Sequence, residues 1–238
     1  MKMKNQYVTL FKTTTVLSTL IASTSVIAIG QDDILINARI LNITPDVGGN
    51  QVITTAGAPL AAPAGIDVDD GYSLGVDITY MVTDNFGVEL MLDTTSKHDV
   101  QGTGNLAGVS VGEVTVLPPS VIGVWHFTPA SNIRPYVGAG LNYTMFLSEK
   151  TTAQFTSTMD SVVGPGVTST GVSVDDTLSI VIQAGVDIDI NQDWYVSLDA
   201  KYIDLNTTAT VQVNGADAAT VDFDLNPLVL GVGVGTRF

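Results

Sequence analysis

The chain has no cysteine among its 238 residues, which excludes a disulfide framework, a thiol nucleophile and a cysteine-ligated metal. Histidine is almost as scarce. His98 and His126 stand apart with no ligand spacing around them, so no metal site is expected. Basic residues are few, nine Lys and Arg against 24 Asp and Glu, and a net charge of −15 gives no electrostatic attraction to nucleic acid or an anionic surface. Beyond residue 30 no stretch approaches 18 uninterrupted apolar residues, so no later helix can span a bilayer. Yet 45% of the residues are hydrophobic, and they must be buried in another way.

The first residues read as a leader. Lys2, Lys4 and Lys12 are the only charges before an apolar, hydroxyl-rich run from Val16 to Gly30, too short and too rich in Ser and Thr for a comfortable anchor. Small residues at Ala28 and Gly30 offer cleavage points, so residues 1–30 are expected to be a signal peptide and residues 31–238 one mature domain.

The mature chain alternates with period two. At its end Leu228, Leu230, Val232, Val234, Thr236 and Phe238 share one face, while Val229, Gly231, Gly233, Gly235 and Arg237 share the other. Tyr72, Leu74, Val76, Ile78 and Tyr80 alternate with Ser73, Gly75, Asp77 and Thr79. After Thr83-Asp84-Asn85, Phe86, Val88, Leu90 and Leu92 alternate with Gly87, Glu89, Met91 and Asp93. Similar segments run over Ile34–Ile43, Leu117–Phe127, Arg134–Leu147, Leu178–Ile190 and Trp194–Tyr202, which makes eight strands. Their connections alternate long and short, with long loops expected at Thr44–Gly71, Ser96–Gly112, Glu149–Asp175 and Asn206–Thr220. This pattern predicts an all-β fold, an eight-stranded antiparallel up-and-down transmembrane barrel with apolar residues facing lipid. A soluble lipocalin-like barrel would instead place its polar face outward.

Aromatic residues collect beside the short turns: Tyr80, Phe86, Trp125, Phe127, Trp194 and Phe238. Rings with a polar edge favour the headgroup boundary, so these form an expected girdle, with Tyr72, Tyr143 and Tyr202 supplying part of a second. Gly231-Val232-Gly233-Val234-Gly235 is followed by no helix and therefore reads as small inward residues rather than a phosphate loop. The inward charges Arg39, Asp77, Glu89, Asp93, Arg134, Asp187, Asp189, Asp199, Lys201 and Arg237 have two readings. They either plug a narrow barrel or line a conduction path.

Several segments together resemble the OmpW family of outer-membrane proteins: Thr79-Tyr80-Met81, Gly87-Val88-Glu89-Leu90, Leu117-Pro118-Pro119, Arg134-Pro135-Tyr136-Val137-Gly138-Ala139-Gly140, Asp193-Trp194 and Arg237-Phe238. The resemblance covers most of the barrel from the second strand onward and implies a narrow conduit for small hydrophobic molecules. Lumen-lining candidates are then Arg39, Asp77, Glu89, Met91, Asp93, Arg134, Tyr136, Phe146, Val181, Asp187, Asp199 and Lys201. Lys201 departs from the family pattern, which leads one to expect an aromatic there. Pro118 and Pro119, which cannot donate to a neighbouring strand, mark a candidate lateral exit. Phe238 is the candidate assembly signal read by the barrel-assembly machinery. Expected partners are outer-membrane lipid, that machinery and small hydrophobic solutes, with no nucleic acid and no cofactor. No catalytic residue is assigned and no enzyme is expected. A structural or adhesive role for the long loops is the alternative.

Two outcomes test this reading. Cysteines introduced at Asn105 and Ser161 should be labelled by an impermeant reagent on intact cells while those at Asn85 and Gln192 are not; equal labelling of all four would contradict the topology. Deleting Phe238 should slow membrane insertion and leave periplasmic material, measured by the heat-dependent gel shift of a folded barrel.

Overall fold

A computed structural model describes residues 29–54, 64–127 and 132–238. The expected leader lies outside the described residues apart from Ile29 and Gly30. The strands in chain order are β1 (Ile34–Thr44), β2 (Gly48–Thr54), β3 (Ala64–Val68), β4 (Gly71–Met81), β5 (Phe86–Asp93), β6 (Ser96–Gly104), β7 (Ser110–Leu117) and β8 (Ser120–His126). They continue with β9 (Ile133–Thr151), β10 (Thr170–Val174), β11 (Thr177–Asp189), β12 (Trp194–Asp204), β13 (Asn206–Val213), β14 (Ala216–Asp224) and β15 (Leu228–Arg237). Among the described residues one helix, α1 (Ala153–Val163), interrupts them.

Eight strands close into a ring in the order β1-β4-β5-β8-β9-β11-β12-β15, and β15 returns to β1. The last residue takes part in that closure. Ile34 N donates to Phe238 O at 3.1 Å and Phe238 N to Ile34 O at 3.0 Å. Along these strands burial alternates, most strictly in β4, where every second residue from Gly71 is buried and the others are exposed. The exposed set is apolar, including Ile40, Leu74, Val121, Leu141, Ile180 and Leu230, each around half exposed or more. A soluble barrel could not carry such a surface, whereas lipid requires it. Both expected girdles also face outward, from Tyr80, Phe86, Trp125, Phe127, Trp194 and Phe238 at the turn end to Tyr72, Tyr143 and Tyr202 nearer the loop end.

The long connections differ from the expectation of loops. Six of the seven strands outside the ring lie wholly or mainly within them. β3, β6, β7 and the upper part of β9 form one sheet, while β10, β13, β14 and β2 form another. The physical reason is that the alternation continues beyond the membrane with its sense reversed. In β14, Ala219, Val221 and Phe223 are buried while Asp222 is exposed, and in β6, Ser96 and His98 are buried while Lys97 and Asp99 are exposed. Water outside demands a polar outer face, so the apolar residues turn inward. This crown is capped by α1, where Thr152 Oγ1 accepts from Phe155 N at 3.0 Å and the one-turn pair Phe155 and Met159 packs on Val111.

The glycines of β15 are required by close approach. A Cβ at Gly231 would overlap the Asp199 carboxylate, at Gly233 the Arg39 side chain and at Gly235 the Tyr195 ring. Their role is to leave space for large inward side chains in a narrow barrel.

Arg39 is the centre of that interior and its side chain is wholly inaccessible to solvent. Replacing Arg39 with Ala leaves Asp77 buried without its cation and is expected to destabilise the barrel by about 3–5 kcal/mol. Arg39→Met combined with Asp77→Leu should recover most of the loss, measured as urea unfolding in lipid vesicles; no recovery would show that the charges themselves are needed.

Candidate ligand cavity and its side wall

Inside the ring, inward side chains form layers. Near the turn end Arg134 pairs with Asp189 at 2.8 Å and lies 3.5 Å from Asp187, and Arg237 also bonds Asp189. Tyr136 and His126 lie beside them with their rings tilted and centroids 5.3 Å apart, and the Tyr136 hydroxyl lies 3.4 Å from Ser197 Oγ. Higher up, Arg39 donates to Asp199 at 2.7 Å and also to Asp77, while Lys201 donates to the other Asp199 oxygen. Glu89 is buried in the same region and accepts from Thr79 Oγ1 at 3.4 Å. Two ion-paired layers therefore lie inside the ring at different heights.

Above the charges the inward residues become apolar. Leu41, Ile43, Ile122, Val181, Ile203, Leu205 and Val229 form one packed cluster together with Val124 and Tyr136. Over this floor opens a cavity of about 370 Å³ that reaches up into the crown. Met91, Asp93, Ile203 and Val229 line it from the barrel, Phe146 and Val114 from the wall, Ala209, Val221 and Phe223 from one crown sheet, and Phe155 and Met159 from α1. A volume of this size holds a small organic molecule, and a largely apolar lining with few polar groups is what such sites present.

Of the sequence candidates, Arg39, Asp77, Glu89, Arg134, Tyr136, Asp187, Asp199 and Lys201 are thus buried in or beside the ion-paired layers. Val181 belongs to the apolar floor, and Met91, Asp93 and Phe146 line the cavity. The crown's contribution was not legible as a site, because its residues read as loop. Ser96 and His98 are examples: both are buried cavity-lining residues, with Ser96 Oγ 3.0 Å from His98 Nε2 and Asp69 O 2.9 Å from His98 Nδ1. The imidazole fills the space over Gly71 that a Cβ would occupy, tying the crown to the top of β4. One signal did exist for the floor. Inward residues change from charged to apolar along β1 and β12, from Arg39 to Leu41 and from Lys201 to Ile203.

Pro118 and Pro119 divide β7 from β8, and the side wall changes there. On the β9 side contact is kept: Tyr143 N donates to Pro119 O at 2.9 Å, and buried Asn142 Nδ2 donates to Pro118 O at 3.0 Å and Ser120 Oγ at 2.9 Å. On the other side the β5–β8 ladder ends at Met91 opposite Ser120 and the β6–β7 ladder begins at Ser96 opposite Val116. Between these pairs Thr94 turns to β4 instead, donating its N–H to Leu74 O at 2.7 Å and accepting from Leu74 N at 3.0 Å. The wall beside the cavity thus contains a short stretch without ladder pairing, with Pro118 in the cavity lining.

The comparisons agree with this architecture. The model of the OmpW family matches residues 30–238. Outer membrane protein W of Vibrio cholerae is 31% identical over 224 residues, covering 92% of this chain and 94% of its own. The protein of the same name from Escherichia coli is 35% identical over 184 residues, covering 77% and 81%. The crystal structure of the outer membrane protein OprG from Pseudomonas aeruginosa superposes with a TM-score of 0.76 at 26% identity, covering 88% of this chain and 97% of that one. With the family model spanning nearly all of the strand-forming chain, this barrel belongs to the OmpW family and resides in the outer membrane of a Gram-negative cell.

Proposed function

We propose that the protein takes small hydrophobic molecules into the crown cavity and releases them sideways into the membrane, passively and without a chemical step. The observation that carries this reading is the position of the apolar cavity. It is blocked toward the turn end by ion-paired layers and flanked by the unpaired wall at Pro118 and Pro119. An apolar solute gains by leaving water for the cavity, and again by leaving it for acyl chains. Passage down the barrel axis would expose it to Arg39, Asp77, Asp199 and Lys201, whose bonds would have to break. A lateral path breaks none of them. The family resemblance supports the same solute class.

Pro118→Ala with Pro119→Ala restores two N–H donors to the wall. Stability should hold or rise while uptake of an apolar solute into proteoliposomes falls, and unchanged uptake in a correctly folded double variant would rule out this exit. Filling the cavity from the crown with Ala209→Phe should weaken solute binding by about tenfold, roughly 1.4 kcal/mol, while leaving the heat-dependent gel shift of the barrel intact.

A further inference from the structure

Asp93 is a buried carboxylate in the cavity lining that the apolar reading leaves unexplained. It is 8% exposed, lines the cavity, and neither of its carboxylate oxygens accepts a hydrogen bond from any described residue. The nearby cations are engaged elsewhere, Arg39 on Asp77 and Asp199 and Lys201 on Asp199. A buried carboxylate without a donor is costly, and native structures keep such a group for a partner. The formal charges around it point to the sign of that partner. Asp77, Glu89, Asp93 and Asp199 oppose only Arg39 and Lys201 in this part of the lumen, an excess of two negative charges. Asp93 also stands at the side wall: it lies two residues past Met91, where the β5–β8 ladder ends, and lines the same cavity as Pro118.

We propose that the cavity selects amphipathic amines, with Asp93 receiving the protonated amino group while the apolar body lies against the cavity wall. This deepens the reading of the cavity as a site for hydrophobic molecules and rests on it. An ammonium supplies the donors that the carboxylate lacks and offsets the local excess of negative charge, through a charge-assisted hydrogen bond. To receive it the Asp93 carboxylate turns from its place beside Gly75 toward the cavity. A neutral alcohol supplies a weaker donor, and a carboxylate of the same chain length is repelled. Docked in this way, the ligand keeps its polar end just past the end of the β5–β8 ladder.

The full chain in zwitterionic lipid nanodiscs, with methyl groups labelled for NMR, tests this by titration with octylamine, octanol and octanoate at neutral pH, using empty nanodiscs to correct for partition into lipid. Octylamine should bind about tenfold more tightly than octanol, the size of one charge-assisted hydrogen bond, and octanoate most weakly. Shifts should concentrate on the methyls of Ile203 and Val229. In Asp93→Asn the preference for amine over alcohol should vanish while octanol affinity is kept, with the gel shift checking that the variant is folded. Equal affinity for octylamine and octanol in the unaltered protein overturns the proposal without help from any variant, and leaves the hydrophobic cavity reading standing. A preference that survives Asp93→Asn overturns the role of Asp93. Failure of all three compounds to shift the cavity methyls overturns both the proposal and the reading on which it rests.

Discussion

The structure depends on one constraint, that a backbone crossing hydrocarbon has no water to satisfy its N–H and C=O groups. A sheet meets that demand only by closing on itself. Here the closure runs through the pairing of β1 with β15, from Leu35 opposite Arg237 to Thr44 opposite Leu228, and the terminal Phe238 exchanges both backbone bonds with Ile34. Once the ring is closed with eight strands, its interior is narrow. Large inward side chains then need small neighbours, which is why Gly231, Gly233 and Gly235 face Asp199, Arg39 and Tyr195.

The same solvent boundary explains the cavity. Below it, lipid outside and charges inside set the alternation; above it, water outside drives apolar residues inward. The barrel and crown share strands that run through this reversal, most visibly β9, whose 19 residues pass from Ile133 at the turn end to Thr151 in the crown. Where the two regimes meet, inward apolar residues from the barrel, such as Ile43, Ile203 and Val229, face those of the crown, such as Val221 and Phe223. The cavity lies at that junction, with the charged layers below it and the Pro118-Pro119 break beside it.

Charges inside a barrel of this kind restrict as well as stabilise. Arg39 bridges β4 and β12 through Asp77 and Asp199, and Arg134 with Arg237 converges on Asp189, so the interior is cross-braced at two heights. Pairs of this sort are desolvated, and each partner depends on the other for compensation. That dependence fixes the interior of the lower barrel. The crown cavity, by contrast, has mostly apolar walls and a side wall that lacks part of its ladder.

The sequence by itself determined the number of barrel strands, their inward and outward faces, the girdles and the identity of the inward charges. All of these follow from a period of two and from a contrast between lipid and lumen strong enough to be read one strand at a time, as in Tyr72–Met81. Which charges pair was decided only by the tertiary structure, because pairing depends on which strands are neighbours across the lumen: Arg39 meets Asp199 across 160 positions of chain. The crown was hidden for a different reason. Its alternation is weaker, carried by Thr, Ser, Ala and Val, and reversed in sense, so its strands read as loops until the barrel held their bases together. The resemblance and the prolines marked the break in the wall, but the apolar cavity beside it exists only once residues from β1 to β15 and α1 are folded around one space.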